Sequence, residues 1–195
     1  LAHKLTNPVA DIISIPVDAV YDSDIGINDD GERYQITIKP VIPIQLSESW
    51  NLITRTLIPF TSQSDIYPGA GDQSGLGDID MSLFFSPVPS SSGGLVWGVG
   101  PVLHFPTASD DLLGAEKWGA GPAGIILSMK KPWTLGLQVN QIWSFAGEED
   151  RSDISTSLVQ PFASYTQGTW TSSLSMENVY NHETSEWAIP VNFSL

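Results

Sequence analysis

Apolar and polar residues alternate with a period of two on both sides of an acidic loop near the middle of the chain. The first side carries an apolar series of Leu95, Trp97, Val99, Pro101, Leu103 and Phe105. The second side carries Gly119, Gly121, Ala123, Ile125, Leu127 and Met129 on one face. A period of two is that of a β-strand with one apolar face. The two sides and the loop between them, PTASDDLLGAEK, therefore predict a long-looped β-hairpin.

The same plan recurs along the whole chain and predicts about ten antiparallel strands in one domain, residues 1–195. The strands are expected near 13–21, 34–44, 50–60, 79–85, 95–105, 119–129, 133–145, 154–165, 170–180 and 187–195. Long polar loops and short turns alternate between them, so all the long loops lie at one end. Residues 1–11 show no clear alternation, and a short helical turn inside or below the fold is expected there.

Composition narrows the class of protein. The net charge is −14 with only eight Lys and Arg, which excludes binding to a row of nucleic-acid phosphates and favours cationic partners. Cysteine is absent, which excludes disulfides and thiolate metal sites and fits an oxidising compartment. Without a run of 18 apolar residues, no transmembrane helix is predicted. No signal peptide is expected in this chain, which opens at Leu1, and no cofactor is predicted.

Charges within the predicted strands all fall on the face opposite the apolar one: Asp18, Lys39, Arg55, Asp78, Asp80 and Glu177. If the apolar faces point to lipid, these charges point into a lumen. A charge on the lipid-facing midplane of a barrel costs roughly 2 to 4 kcal/mol. A soluble sheet also puts charges on its exposed face, so this pattern alone does not separate the two.

The tryptophans separate them better. Four stand at strand starts beside short turns: Trp50, Trp97, Trp133 and Trp170. Three stand at strand ends beside long loops: Trp118, Trp143 and Trp187. Indole is apolar but carries an N–H that needs a polar partner, so two belts around an apolar band are typical of a membrane-spanning barrel. Trp in a soluble β-sandwich would more often lie mid-strand in the core.

Strand length and strand edges favour closure into a barrel. Strands of about 9 to 12 residues cross a thin bilayer at a tilt, and unpaired edges are not tolerated in lipid. The predicted fold is an all-β, antiparallel, up-and-down transmembrane β-barrel. Prolines interrupt the pattern at Pro40, Pro43, Pro59, Pro101, Pro122, Pro161 and Pro190. Because proline lacks the N–H of a ladder bond, bulges or gaps in pairing are expected there.

Several segments resemble a widespread family of bacterial outer-membrane barrels. They are DIISIPV, YDSDIGINDDGERY, PVIPIQL, WNLITRTLIPF, DIYPGAGDQSGLGDI, FFSP, GPVLHFPTASDDLLGAEKWGAGP and QPFASYT. Members of that family are often labelled only as transporters, and sometimes mislabelled neuromedin U. The resemblance implies an outer-membrane location in a Gram-negative bacterium and a relation to barrels linked with phenol degradation and the uptake of hydrophobic or aromatic compounds.

The chain departs from that family at its end. The family usually adds another hairpin and finishes on an aromatic residue, whereas this pattern stops at Leu195. We therefore expect a missing C-terminal hairpin and twelve strands in the intact protein, although ten would also satisfy the even-number rule.

The candidate lumen residues are mostly polar or charged. They are Lys39, Arg55, Asp78, Asp80, His104, Gln138, Asn140, Gln160, Glu177 and Asn192. One hypothesis is a selectivity constriction for small, possibly hydrophobic or aromatic, solutes. The other is a ladder of charges that holds register and fills a plugged, structural barrel.

Most of the 22 acidic residues lie in the long loops, which predicts a solvated acidic rim or a site for divalent cations. Such cations would bind directly or bridge to lipopolysaccharide, and outer-membrane lipids are the expected partners. The segment GINDDGE resembles part of a calcium loop, but Gly26 stands where the first acidic ligand belongs. Asp24, Asn28, Asp30 and Glu32 form a weak candidate calcium site.

Two further classes of function remain open. A lipid-modifying barrel enzyme would need a nucleophilic serine, yet His104 points inward and no GxSxG motif occurs, so no enzyme is predicted. A secreted soluble sandwich would bury its tryptophans. The leading hypothesis is a passive outer-membrane channel or transporter.

Overall fold

The structure is a computed structural model that describes residues 13–88 and 95–194. These residues form fourteen β-strands and no helix. The strands are β1 (Val17–Ile25), β2 (Gly31–Ile38), β3 (Val41–Gln45), β4 (Trp50–Ser64), β5 (Asp72–Leu76), β6 (Ile79–Pro87), β7 (Leu95–Phe105), β8 (Lys117–Lys130), β9 (Trp133–Gly147), β10 (Ser155–Gln167), β11 (Trp170–Met176), β12 (Asn178–Asn181), β13 (Glu186–Ala188) and β14 (Val191–Ser194). Within the described ranges, no helix is long and apolar enough to cross a membrane.

Ten of these strands follow one another in a single antiparallel path, β1-β2-β4-β6-β7-β8-β9-β10-β11-β14. The remaining four attach to it: β3 and β5 pair with β4, and β12 pairs with β10 and β13. Strands β3, β12 and β13 are parts of strands that the sequence predicts as continuous. Strand β5 precedes the strand predicted near 79–85 and extends it. The predicted antiparallel meander is therefore confirmed. The predicted turn of residues 1–11 lies outside the described residues, as does most of the turn after β6.

Two of the predicted strands break at a proline. Lys39 and Pro40 separate β2 from β3, and Ile189 and Pro190 separate β13 from β14. Proline cannot donate to the ladder, so pairing stops or changes partner at these points.

The Gly100–Pro101 and Gly121–Pro122 pairs open gaps inside otherwise continuous ladders. The β6–β7 register skips from Ser82↔Val102 to Phe85↔Val99, and the β8–β9 register skips across Gly121 and Pro122. A Cβ on Gly100 would lie 1.8 Å from the Leu83 carbonyl oxygen, and one on Gly121 1.8 Å from that of Gln141. Only glycine fits this close backbone approach. The expected gaps thus occur at five of the seven prolines, since Pro59 lies between the β4–β6 and β4–β5 ladders, whereas Pro43 and Pro161 stay in register.

The strand faces are inverted relative to a soluble protein. On β9, Leu135, Leu137 and Val139 are exposed, whereas Thr134 is 0% and Gln138 3% exposed. Soluble sheets place apolar residues inward and polar residues outward. Apolar residues outside and polar residues inside are the arrangement of a transmembrane barrel.

One part of the interior is nevertheless apolar, and it corrects the prediction for β8. The alternation predicts that the apolar series from Gly119 to Met129 faces outward with the other apolar faces. Instead Ile125 and Leu127 are 4% and 1% exposed, and they belong to a core cluster with Phe84 and Ile53. The outer face of β8 carries Trp118 and Ile126, both exposed. Inward apolar side chains of β3 to β9 thus fill one part of the interior.

Candidate functional site

Three cavities lie in the interior, with volumes of about 220, 780 and 180 Å³. Glu177, at the break between β11 and β12, lines all three. Lys39 and Asp18 line the first two, and Arg55 lines the first and third. We call these four residues, Asp18, Lys39, Arg55 and Glu177, the charged junction. It stands where the cavities meet.

Lys39 joins the two ends of the strand path across the interior. Its Nζ donates to Glu177 Oε1 at 3.0 Å and also forms an ion pair with Asp18 of β1. The Lys39 side chain is 11% exposed, and Glu177 is 138 residues away in the sequence. A buried cation needs paired carboxylates to offset the loss of hydration. The Lys39–Glu177 contact therefore crosses the interior and links the end of β2 to the end of β11.

Arg55 of β4 completes the charged junction. The charges of Glu177, Asp18 and Asp80 all act on its guanidinium. The lining of the three cavities holds two basic side chains and five carboxylates: Lys39 and Arg55, and Asp18, Asp22, Asp78, Asp80 and Glu177. The interior is therefore electronegative, and a cation passing through it would be attracted.

His104 lies between two carboxylates on the loop side of the charged junction. Its Nδ1 is 2.7 Å from Asp80 Oδ1, and its Nε2 is 3.4 Å from Asp78 Oδ2. The first contact has hydrogen-bond geometry. The second is close enough for an ion pair but does not have hydrogen-bond geometry, so Nε2 is buried without a hydrogen-bond partner. Both ring nitrogens thus face aspartates rather than a serine.

The predicted polar lining residues take three kinds of position. Gln160 donates to Glu177 Oε1 at 3.0 Å. Gln138 faces the 220 Å³ cavity, and its Nε2 is buried without a hydrogen-bond partner. Asn140 lines the 180 Å³ cavity and Asn192 the 780 Å³ cavity. His104 itself is not among the residues that line the three cavities. It contacts Asp78 and Asp80, which line the 780 Å³ cavity.

All seven tryptophans lie on the outer surface. Their exposed fractions run from 39% at Trp97 to 74% at Trp170. Several pack edge-on against a neighbouring aromatic ring, such as Trp50 on Trp97 at 6.0 Å and Trp118 on Phe105 at 5.8 Å. None of them fills a dry interior between stacked sheets, as a soluble sandwich would require.

The loop between β7 and β8, residues 106–116, is held by side chains that sequence analysis did not connect with it. The buried Asp78 carboxylate accepts the backbone N–H groups of Ala108 at 3.1 Å and Ala115 at 2.6 Å, one near each end of this β7–β8 loop. Gln63, 4% exposed, donates to the Leu112 carbonyl at 3.1 Å. Hydrogen bonds to a charged acceptor contribute about 1.5 to 3 kcal/mol each. Asp78 was predicted only as lumen lining.

Arg151, from the loop after β9, binds the other side of the β7–β8 loop. Its Nη2 donates to the carbonyl oxygens of Asp111 at 2.6 Å and of Gly114, and its Nε lies 3.1 Å from Glu116 Oε2. The pKa of the Glu116 carboxyl is raised, first by desolvation and then by the charge of Asp111, while Arg151 opposes the rise. A guanidinium offers five donors in a fixed fork, which suits several acceptors at once. Sequence spacing gave no signal for this contact.

A serine and a histidine also meet on the outer face. Ser157 Oγ lies 2.8 Å from His182 Nε2, and the Ser157 hydroxyl also contacts Gln141. A catalytic triad places its third group on the histidine, where it orients the ring. Here the third polar group contacts the serine, so the arrangement lacks the triad's geometry.

The acidic loops do not assemble a metal site. Among residues 13–88 and 95–194, no group of three or more His, Cys, Asp or Glu side chains is placed to hold a metal ion. Asp24, Asn28, Asp30 and Glu32 lie in or beside the loop between β1 and β2, where the Asp24 carboxylate accepts the hydroxyl of Ser23 at 2.8 Å. The weak calcium site stays a prediction.

Comparison with known proteins now bears on the fold. The sequence matches no protein-family model and no curated protein. A crystal structure of an outer membrane channel from Pseudomonas putida F1 is similar, with a TM-score of 0.67 and 16% sequence identity. The match covers 94% of this chain and 78% of that chain. The fold is therefore an antiparallel, up-and-down β-barrel of the type that spans outer membranes.

Proposed function

We propose that this protein is a channel of the outer membrane of a Gram-negative bacterium that conducts small polar solutes, cations above all. The single observation that carries the proposal is the inversion of the strand faces, exposed Leu137 and Val139 beside Gln138 at 3% exposure. Such a surface is stable only against lipid. The similar outer membrane channel supports the proposal through the shared fold.

The electronegative interior supports a preference for cations. Five carboxylates against two basic groups line the three cavities, and the lining includes Glu177 in each of them. Charged side chains at a constriction attract ions of opposite sign and repel those of like sign. The 780 Å³ cavity also has apolar lining residues, among them Val20, Leu57 and Leu113, so the hydrophobic or aromatic cargo that the sequence resemblance implies stays a prediction.

Ion selectivity in a planar bilayer tests the proposal. In a KCl gradient, the reversal potential should show preference for K⁺ over Cl⁻, and the double variant Glu177→Gln/Asp80→Asn should reduce the permeability ratio by about threefold. The matched control is Glu149→Gln/Asp150→Asn, which removes the same charge from an exposed loop. Preference for chloride would contradict the proposal. A folded barrel that conducts nothing would support a plugged, structural role.

Membrane placement is tested separately through the tryptophans. Lipids brominated near the headgroup should quench the fluorescence of the inserted protein more strongly than lipids brominated at the chain end, because indoles prefer the interface. Equal quenching by both lipids, or a chain that is monodisperse without detergent, would contradict it. Lipopolysaccharide and divalent cations at the acidic loops stay predictions.

A further inference from the structure

The β7–β8 loop turns inward and does not stand above the rim. On β4 and β5, the positions that face the interior include Gln63 and Gln73, which are 4% and 7% exposed. Gly75, two residues after Gln73, shares that inner face because side chains alternate along a strand. A Cβ on Gly75 would lie 1.9 Å from the Ser109 Oγ and 3.5 Å from the Leu113 side chain. The tip of the loop therefore lies against the inner wall of the barrel.

The β7–β8 loop also forms part of the wall of the largest cavity. Leu113 lines the 780 Å³ cavity together with Asp22 and Gln35 of the first two strands. Gly77, beside the inward Pro59, has the Leu113 carbonyl within 3.4 Å of its Cβ position. The Leu113 side chain thus faces the 780 Å³ cavity, whose other lining residues lie in strands or at the breaks between them.

The loop is attached at both sides of the mouth. Asp78 fixes it to the β5–β6 wall through Ala108 and Ala115, and Arg151 fixes it to the loop after β9. Asp78 is 8% exposed and Arg151 28% exposed, so the first attachment is shielded from water and the second is partly open to it. Shielded, charge-assisted bonds are the stronger of the two kinds.

We propose that the β7–β8 loop is a constriction loop, and that Asp78 and Arg151 are the positioning residues that set the size of solute the barrel admits. This inference rests on the proposed channel function. The β-strands set the width of the barrel, and the loop reduces the entrance to it. The charged junction below selects by charge, whereas the loop selects by size.

The absence of cysteine makes a covalent test direct, because any introduced pair provides the only thiols. We choose Gly75→Cys with Ser109→Cys. The Cβ atoms would be 3.2 Å apart, a few tenths of an ångström below the roughly 3.5 to 4.5 Å seen in disulfides, so a small shift of the loop suffices. The oxidised pair should form in most molecules and leave conductance as in the wild type, since it fixes the loop where it already lies. The two single-cysteine variants are the controls.

Release of the loop is tested in the same background. Asp78→Ala should lower the yield of the disulfide several-fold under mild oxidant. In the chain without cysteines, Asp78→Ala should raise the exclusion limit for neutral sugars in liposome swelling. Arg151→Ala should act in the same direction and more weakly. Heat-modifiable migration on a gel identifies variants that fold. If Asp78→Ala does not fold, Arg151→Ala provides the test of loop release.

The outcomes separate this inference from the proposed function. An exclusion limit unchanged by release of the loop would overturn the constriction, as would a cysteine pair that stays reduced in the folded barrel. If the pair cross-links but neither the wild type nor any variant conducts or swells liposomes, the channel function fails and the size role fails with it, while the inward position of the loop stands.

Discussion

Two long loops at the same end of the barrel differ in how they are held. Seven of the eleven residues of the β7–β8 loop are partly buried, and the loop is bonded by Asp78, Gln63 and Arg151. The loop between β1 and β2, residues 26–30, is exposed at every position, and a turn hydrogen bond joins the Asp29 N–H to the Gly26 carbonyl. Both are acidic and rich in turn residues. The difference shows that the strands beneath a loop, rather than its own composition, decide whether it enters the lumen.

The largest expected effect follows from removing each loop in turn. Replacing residues 108–114 by a Gly-Ser-Gly linker should raise single-channel conductance about threefold, because the entrance widens. Shortening residues 27–29 in the same way should change conductance by less than about a fifth, because this β1–β2 loop does not line the entrance. Planar-bilayer recordings of both variants measure the difference. Equal effects of the two deletions would remove the distinction between the loops.

An intermediate effect is expected from Arg151→Gln. The change removes the Glu116 ion pair and weakens the bonds to two carbonyl oxygens, which at a partly exposed site amounts to about 1 kcal/mol. The backbone amides of Ala108 and Ala115 should therefore exchange hydrogen roughly fivefold faster. Exchange in residues 26–30 should stay as it is. Lys130→Gln, which removes one positive charge at the short-turn end, is the control. Faster exchange at Ala108 and Ala115 in this control would contradict a local role of Arg151 in holding the loop.

The smallest expected effect concerns pH and Glu116. The pKa of its carboxyl is raised, by desolvation and by Asp111, so ionisation of Glu116 disfavours the folded loop. The stability gained from its protonated form is complete below its ordinary pKa and is lost as pH rises through the raised value. Glu116→Gln should therefore raise the thermal midpoint in detergent slightly at pH 7 and leave it unchanged at pH 4. Asp30→Asn, in the β1–β2 loop, should show no such difference. A lower midpoint for Glu116→Gln at pH 7 would show that the Arg151 pair outweighs the repulsion.

The sequence predicted much of the wall of the barrel. Alternation over residues 95–105 gave the bounds of β7, and the inward positions of Lys39, Arg55 and Glu177 followed from the phase of their strands. The period of two is a local property, since each side chain points opposite to its neighbours whatever the rest of the chain does. The same argument failed at β8, where apolar residues fill both faces of the strand and periodicity does not choose between them.

The contacts of the site needed the structure. Glu177 and Lys39 are 138 residues apart, and Arg151 reaches a loop 37 residues earlier through carbonyl oxygens that leave no trace in a sequence. Asp78 was placed inside the lumen by its phase, but its role in binding Ala108 and Ala115 depends on how the loop folds back. Ser157 and His182 likewise meet only because β10 pairs with β12.

By itself the sequence determined the strands, their two faces and the end at which the long loops lie, because alternation and turn residues act over a few positions. The tertiary structure decided which part of the interior is filled by Phe84 and Leu127, that Lys39 and Glu177 of the charged junction pair across the lumen, and that the β7–β8 loop enters it. These features depend on the order and curvature of the sheet, which bring distant side chains within bonding distance.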